Sequence, residues 1–265
     1  MISILRHYGD IYFVSLKNNF VREFVYRSNF ITAMVIDLVW YAIEFTLFSV
    51  IYANTSSLGG WSQNQVFFFL GFMFASDALF AAFFGNAFWR FSDLINKGEL
   101  DVVLTKPVSP VFLILSRYFN LTSLINMLLG FGIMIRYAPL AGFEGGVHWV
   151  AVFVWLLVAV AIQVLARFAF SVGVFWTERS WALVRLYYQL FTFASKPDSI
   201  FPKPLRYITM TILPFALIGS VPARSLLFGL NHLDWILIAA ATVFFAVFDV
   251  VLWRMGLRKY QSASS

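Results

Sequence analysis

Charged side chains inside long apolar stretches are the residues of this chain most able to do chemistry. They are Asp37, Glu44, Asp77, Arg117, Arg167 and, near the end of the last stretch, Asp249. A charge at membrane depth costs at least about 2.5–3.5 kcal/mol, so each should face protein or water rather than lipid. Asp37 and Glu44 lie about two helical turns apart and therefore share one helical face.

Two interpretations of these charges stay open at the level of sequence. They can form pairs between helices, for example Asp37 or Asp77 with Arg167, or they can provide a polar lining for a translocation path. A proton relay would need a chain of carboxylates and histidines, and none is visible. The histidines His7, His148 and His232 are far apart in the sequence.

Motifs for enzyme chemistry are missing from the sequence. There is no G-x-x-x-x-G-K-[ST] for nucleotide phosphates, no H-E-x-x-H for zinc and no nucleophile elbow. The chain has no Cys, which excludes thiolate metal sites and cysteine nucleophiles. We therefore expect no catalytic residue, no metal site and no cofactor in this chain.

The composition indicates an all-α, polytopic membrane protein. Hydrophobic residues make up 61% of the 265, charged residues only 12%, and the mean hydropathy is +0.80. A soluble domain has about 25% charged residues, so lipid must surround much of this apolar surface. The net charge of +6 is typical of basic cytoplasmic loops and does not by itself indicate nucleic-acid binding.

The elements that position the charges are six predicted transmembrane helices. They are expected at 30–52, 64–89, 111–135, 147–176, 181–194 and 233–253, the fifth being short for a crossing. Before them, apolar residues at helical spacing mixed with Arg and Lys predict a helix over 1–28 that lies along the membrane surface. Residues 29–265 then form a single transmembrane domain.

Region 195–232 allows more than one interpretation. Its prolines and short apolar pieces favour a re-entrant element that enters the membrane and returns to the same side. One alternative makes about 205–221 the fifth crossing and leaves 181–194 on the inner surface. Another counts both as crossings, which gives seven spans and an outer C-terminus.

The distribution of Lys and Arg predicts that both termini are cytoplasmic. With the N-terminus inside, most basic residues lie in inner segments. The outer ones are Arg136, Lys196, Lys203, Arg206 and Arg224. The first alternative would move the three between 195 and 210 inside, so charge bias alone favours it.

The segment 90–107 stands out between the second and third predicted spans. We expect a helix that continues to Asn96, a break at Gly98 and a second helix over 99–104, followed by Pro107. A plain connecting loop would not need so many apolar residues, so we interpret the segment as a docking element for a soluble partner. Its candidate contact residues are Arg90, Asp93, Ile95, Lys97, Gly98, Glu99, Leu100, Asp101, Lys106 and Pro107.

The run over 95–110, I-N-K-G-E-L-D-V-V-L-T-K-P-V-S-P, resembles the cytoplasmic stretch of type-2 ABC exporter permeases. Thr177-Glu-Arg-Ser180 resembles a charged inner turn of the same family. Lys196-Pro-Asp-Ser-Ile-Phe-Pro202, with Leu205-Arg206, Leu213-Pro214 and Pro222-Ala-Arg224, resembles its proline-rich outer element. The order of a surface helix, six spans and a coupling helix between spans two and three is also similar.

The resemblance implies a permease without ATPase activity in the cell membrane. Two permeases, identical or related, would assemble with two separate ATP-binding subunits, which would hold the ATP and Mg. Segment 90–107 and the N-terminal helix would contact those subunits, and ATP binding would drive substrate outward. Family permeases handle lipids, polysaccharides, drugs and peptides, so the resemblance does not identify the substrate.

Three other classes are compatible with six apolar helices. A secondary transporter would favour internal repeats and interrupted helices at mid-membrane, and we find no convincing repeat. An intramembrane enzyme would need a nucleophile or metal pattern, which is missing. A structural membrane scaffold is the third alternative.

Overall fold

The computed structural model describes residues 2–25, 27–146, 148–177, 180–229 and 231–260, and these are almost entirely helical. The helices are α1 (Ile2–Val25), α2 (Arg27–Asn54), α3 (Gln63–Phe80), α4 (Asn86–Asn96), α5 (Leu100–Leu104), α6 (Pro110–Ser116), α7 (Leu121–Ala141), α8 (His148–Val172), α9 (Ser180–Phe191), α10 (Lys203–Met210), α11 (Phe215–Ile218), α12 (Ser220–Phe228) and α13 (His232–Lys259). A π-helical turn, Ala81–Gly85, joins α3 to α4, and 3₁₀ turns lie at Gly173–Phe175 and Asp198–Ile200. The predicted all-α class is confirmed.

Five helical stretches within the described residues are long and apolar enough to cross a membrane. They are Phe30–Asn54, Gln63–Asn96, Leu121–Ala141, His148–Phe175 and His232–Lys259. They correspond to five of the six predicted spans. The remaining prediction, the fifth span at 181–194, falls on α9. Its 12 residues rise about 18 Å, less than the roughly 30 Å thickness of the bilayer hydrocarbon.

The third predicted span, 111–135, had the wrong bounds. The structure divides it into α6 and α7, with a non-helical connection from Arg117 to Asn120. The Asn120 side chain caps α7 by accepting a hydrogen bond from the Ser123 N–H at 3.3 Å. The Asn120 N–H donates to the Ala82 carbonyl in the π-helical turn at 2.8 Å. The crossing therefore begins at Leu121, and Arg117 lies before it.

Capping interactions begin the apolar helices where the chain leaves a loop. Ser62 and Gln65 form a capping box at the start of α3, in which each side chain accepts from the other's N–H. At the start of α13 the Asn231 side chain accepts from the Leu233 N–H at 3.1 Å. Such side chains satisfy amides that would otherwise lack partners at a helix start.

Helices α8 and α13 run in the same direction. Ring contacts follow the same order along both helices and just past their ends: Trp155 with Trp235 (4.9 Å between centroids), Phe168 with Trp253 (5.9 Å), and Phe175 with Tyr260 (6.0 Å). Two parallel helices require the connecting chain to return from the end of the first to the start of the second. The segment from 176 to 231 therefore makes one net return along the bundle.

The region after α9 is held at the end of the bundle that carries loop 55–62. Gly59 lies against the backbone of Ser199, and the Trp61 ring lies 5.5 Å from that of Phe228. The Asp198 carboxylate accepts hydrogen bonds from Arg206 (2.6 Å) and Arg224 (3.3 Å) and forms ion pairs with both. Arg224 also pairs with Asp234 at the start of α13 at 2.8 Å. Both ends of 198–234 are thus at the 55–62 end.

Between those two ends, the chain enters the core of the bundle and turns back there. The Phe215 ring lies 5.6 Å from that of Tyr187, partway along α9, and 6.0 Å from that of Phe191. Phe215, Leu217 and Ile218 are fully buried against the main core. Helices α10, α11 and α12 therefore form a folded-back insertion in the bundle.

Candidate functional sites

Arg167 of α8 is the centre of a polar site inside the bundle. The residue is only 4% exposed, and its Nη2 lies 3.2 Å from Asp77 Oδ1 of α3. Its Nη1 donates a hydrogen bond to the Tyr188 hydroxyl of α9 at 2.9 Å. Of the two carboxylates that the sequence offered as partners for Arg167, Asp77 is the one it contacts.

Four aromatic rings surround the same guanidinium group. Its Cζ lies 4.1 Å from the ring centroid of Phe80, 4.7 Å from that of Tyr188, and 5.0 Å from those of Tyr187 and Phe191. Ring faces carry negative electrostatic potential and stabilise a cation that has been taken out of water. The positive charge of Arg167 is therefore balanced by one carboxylate and by the rings of α3 and α9.

The α9 side of this site was not predicted from the sequence. Tyr187 and Tyr188 were not singled out, although α9 is short and has one polar and one apolar face. Trp89 stacks on Tyr188, with 4.8 Å between ring centroids, and so links α4 to the Arg167 site. The detectable signal was the adjacent tyrosine pair in a helix too short to cross on its own.

A cavity of about 180 Å³ lies beside Arg167, between α2, α3, α8 and the end of α9. Glu44, Asp77 and Arg167 line it, together with the rings of Trp40 and Tyr41. The Asp77 side chain is 41% exposed, whereas that of Arg167 is 5% exposed. The structure thus brings three of the predicted membrane-depth charges to one cavity.

The other predicted charges lie elsewhere. Asp37 accepts a hydrogen bond from Asn126 of α7 and does not line this cavity. Asp249 is buried on the face of α13 that packs against α8, and neither carboxylate oxygen has a hydrogen-bond partner among the described residues.

Arg117, predicted near the inner end of the third span, lies instead in the connection before α7. Its backbone carbonyl accepts a hydrogen bond from the Asn19 side chain of α1 at 2.8 Å. Its guanidinium lies 5.7 Å from the ring centroid of Tyr118. Since the crossing begins only at Leu121, Arg117 belongs to the 90–107 end of the bundle.

The segment 90–107 folds as a helix, a tight turn and a short helix. Gly98 has φ +71, a left-handed conformation that favours glycine, and it separates α4 from α5. Leu94, Ile95, Leu100 and Val103 are buried in a second apolar core beneath the turn. The predicted two-helix shape with a break at Gly98 is confirmed.

Some of the predicted contact residues are buried and others are exposed. Ile95 and Leu100 are 8% and 0% exposed, so they support the segment from inside. Lys97, Glu99, Lys106 and Pro107 are exposed. Two apolar side chains that the prediction left out of the contact set, Val102 and Leu104, are 62% and 37% exposed. The outer surface of the segment thus combines charge with exposed apolar groups.

Neighbouring elements fix this segment in place. The Tyr8 hydroxyl of α1 accepts a hydrogen bond from the Ser109 N–H at 3.0 Å. Arg90 lies over the Tyr118 ring at 5.0 Å. Burial and the negative charge of Asp101 raise the pKa of Tyr260, which follows α13. The chain from 90 to 109 therefore contacts α1, the connection before α7 and the residue that follows α13.

A second cavity, of about 560 Å³, lies between α1 and segment 90–117. Arg90, Glu99, Lys106 and Arg117 contribute its charged lining. The described residues contain no group of three or more His, Cys, Asp or Glu that could hold a metal ion.

A protein-family model described as "ABC-2 family transporter protein" matches residues 38–264. No curated protein and no solved structure matches the chain. The turn at Thr177-Glu-Arg-Ser180, which resembled the family, includes residues 178 and 179 outside the described part of the chain. The matched range covers α3 to α13 and every residue that lines the cavity beside Arg167.

Proposed function

Because the chain belongs to the ABC-2 family of transporter proteins, we propose that it is the permease subunit of an ATP-driven exporter that couples to separate ATPase subunits through segment 90–107. The main support for the coupling role is the way in which segment 90–107 folds. A buried apolar core lies beneath it, while Glu99, Val102 and Lys106 remain exposed. A folded projection with mixed apolar and charged groups suits a protein partner.

The proposed assembly contains two ATP-binding subunits and a second permease, identical or related. ATP and Mg belong to the ATPase subunits, because the sequence has no phosphate-binding loop. Many apolar side chains of helix α2 are exposed, among them Ile36, Ile43 and Val50. Lipid or a second permease would cover this surface, so it is compatible with the proposed pair of permeases.

We also propose six crossings with both termini cytoplasmic. The parallel arrangement of α8 and α13 supports this number, because the chain between them makes one net return. Helix α9 and the turns after it supply that return. The insertion α10–α12 is then the re-entrant outer element, since both of its ends lie at the 55–62 end.

The coupling proposal is tested by purifying the tagged chain gently from its native membrane. We expect a P-loop ATPase in about equal amount. Glu99→Lys should reduce the co-purified ATPase about tenfold, equivalent to about 1.4 kcal/mol, because a reversed charge opposes docking. Asp101 is unsuitable for this test, because its replacement would also disturb Tyr260.

Glu144→Lys is the matched control, since Glu144 is an exposed glutamate between α7 and α8, at the opposite end of the bundle. It should leave ATPase association and transport unchanged. A chain that purifies alone and stable would contradict the permease proposal. Normal ATPase association and transport in Glu99→Lys would contradict only the coupling role of the segment.

A further inference from the structure

Glu44 is a buried acid whose charge is not balanced by a salt bridge among the described residues. It is 8% exposed, and its Oε2 has no hydrogen-bond partner there. It lies on the inward face of α2 and lines the 180 Å³ cavity. An unpaired buried carboxylate is costly, so a group that completes its hydrogen bonds would be stabilised in this position.

Nearby basic groups are already engaged elsewhere. Arg167 is held by Asp77 and Tyr188. Lys196 is close enough to interact electrostatically with Glu44, but its Nζ donates to the Thr192 carbonyl at 3.3 Å. The cavity therefore contains a carboxyl group whose neighbouring basic side chains are bonded to other atoms.

Aromatic rings form the remaining wall of the cavity. Tyr41 and Phe74 stack on each other with 4.1 Å between centroids, and both line the cavity together with Trp40. A carboxylate beside aromatic rings favours an organic cation, because charge attraction and cation–π interaction act on the same group. A metal ion is a poorer occupant, since no group of three ligands is found among the described residues.

We propose that this cavity binds the ammonium head of an amphipathic organic amine, with Glu44 as the counter-ion. The volume of about 180 Å³ is below the about 300–1,000 Å³ of drug-sized sites, so it accommodates the head and not the whole molecule. Trp40 lines the cavity and is 54% exposed at the surface of the bundle, where the apolar tail would lie. The inference rests on the proposed permease function and names a substrate class for it.

Binding is measured on the full-length chain, purified with its co-purifying ATPase and placed in lipid nanodiscs. The probes are a fluorescent long-chain primary alkylamine and the alkyl alcohol of the same chain length with the same label. Glu44→Gln should weaken amine binding about tenfold or more and leave alcohol binding unchanged. Glu44→Asp, which keeps the charge, should retain most of the amine affinity.

Two further variants sharpen this test. Glu144→Gln, a charge removal at an exposed loop position, should change neither affinity. Lys196→Gln should raise amine affinity, because it removes a positive charge near Glu44. Equal binding of amine and alcohol by the unmodified chain, or unchanged amine affinity in Glu44→Gln, would overturn the inference.

ATPase co-purification, recorded for every variant, separates the two proposals. If an ATPase co-purifies but the chain does not prefer the amine over the alcohol, the permease proposal is retained and the amine site is overturned. Amine binding that depends on Glu44 in a chain without an ATPase partner supports the site and contradicts the exporter.

Discussion

At the scale of single residues, the Arg167 site explains how a charge can remain inside an apolar bundle. One carboxylate, one hydroxyl and four ring faces surround the guanidinium. Asp77 remains partly exposed to the cavity, so the pair is not sealed. Arg167 and Asp77 therefore form an ion pair between helices and also line the cavity. Interhelical pairing and a polar lining, the two interpretations of these charges, do not exclude each other.

A double-mutant cycle can measure how much the Arg167–Asp77 pair contributes to the free energy of unfolding. Arg167→Met leaves Asp77 without its cation and should lower the free energy of unfolding by about 3 kcal/mol, the low end for breaking a buried pair, because Asp77 is partly exposed. Arg167→Met with Asp77→Asn should recover part of that loss. Thermal unfolding in one detergent measures both.

Arg136→Met is the control for that cycle, because Arg136 is exposed and its guanidinium lies over the Tyr137 ring, 5.6 Å from the centroid. Its effect should stay within about 0.5 kcal/mol. Equal melting temperatures for the Arg167 single variant and the double variant would mean that Asp77 does not depend on Arg167.

The sequence offered an interhelical ion pair for Arg167 as one of two interpretations, but it could not choose between Asp37 and Asp77 as the partner. Both stand in apolar stretches, and the choice depends on which helices pack together. Helix α7 supplies Asn126 to Asp37, whereas α3 brings Asp77 to α8. The aromatic cage was not predictable for the same reason, since any of the many Phe and Tyr residues could have faced Arg167.

At the scale of elements, α3 and α7 approach each other closely through two glycines. A Cβ on Gly130 would lie 2.5 Å from the Ala75 nitrogen and 2.8 Å from the Gly71 carbonyl oxygen. A Cβ on Gly71 would lie 2.8 Å from the Met134 nitrogen. Small residues let membrane helices pack backbone to backbone, which maximises van der Waals contact where the hydrophobic effect is weak.

Gly130→Ala should therefore separate α3 from α7 and lower the free energy of unfolding by about 1–3 kcal/mol. Gly132→Ala is a matched control on the same helix, because nothing lies within 4 Å of its Cβ position. It should be neutral or stabilising by up to about 1 kcal/mol, since Ala favours helix more than Gly does. Similar melting temperatures for the two variants would contradict the close-packing interpretation.

The start of the third crossing could not be predicted from the sequence. Apolar residues continue from 111 to 135, so hydropathy alone predicts one helix there. The break at 117–120 depends on the hydrogen bond from Asn120 to Ala82, a contact distant in sequence. Segment 90–107 was predictable because its signals are local: a glycine, a proline and alternating charged and apolar residues.

At the scale of the whole molecule, the two ends of the bundle have different chemistry. At the 90–107 end, α1 and residues of segment 90–117 surround a cavity with three basic side chains and one acid. The 55–62 end is tied by Asp198, Arg206, Arg224 and Asp234. Because inner segments are rich in Lys and Arg, the 90–107 end is expected to face the cytoplasm.

Because the chain has no Cys, single cysteines can test this orientation without background. Ser57→Cys and Lys203→Cys, both exposed near the 55–62 end, should react with a membrane-impermeant maleimide on intact cells. Lys106→Cys and Lys259→Cys should react only after permeabilisation, because both lie at the opposite end. The unmodified chain is the control and should not react.

The same labelling distinguishes the three topologies that the sequence left open. Reaction of Lys203→Cys only after permeabilisation would place 195–204 inside, as expected if 205–221 were the fifth crossing. Reaction of Lys259→Cys on intact cells would indicate seven crossings. Six crossings with a re-entrant insertion require Lys203→Cys to behave like Ser57→Cys and Lys259→Cys to behave like Lys106→Cys, which agrees with the Ser199–Gly59 and Asp101–Tyr260 contacts.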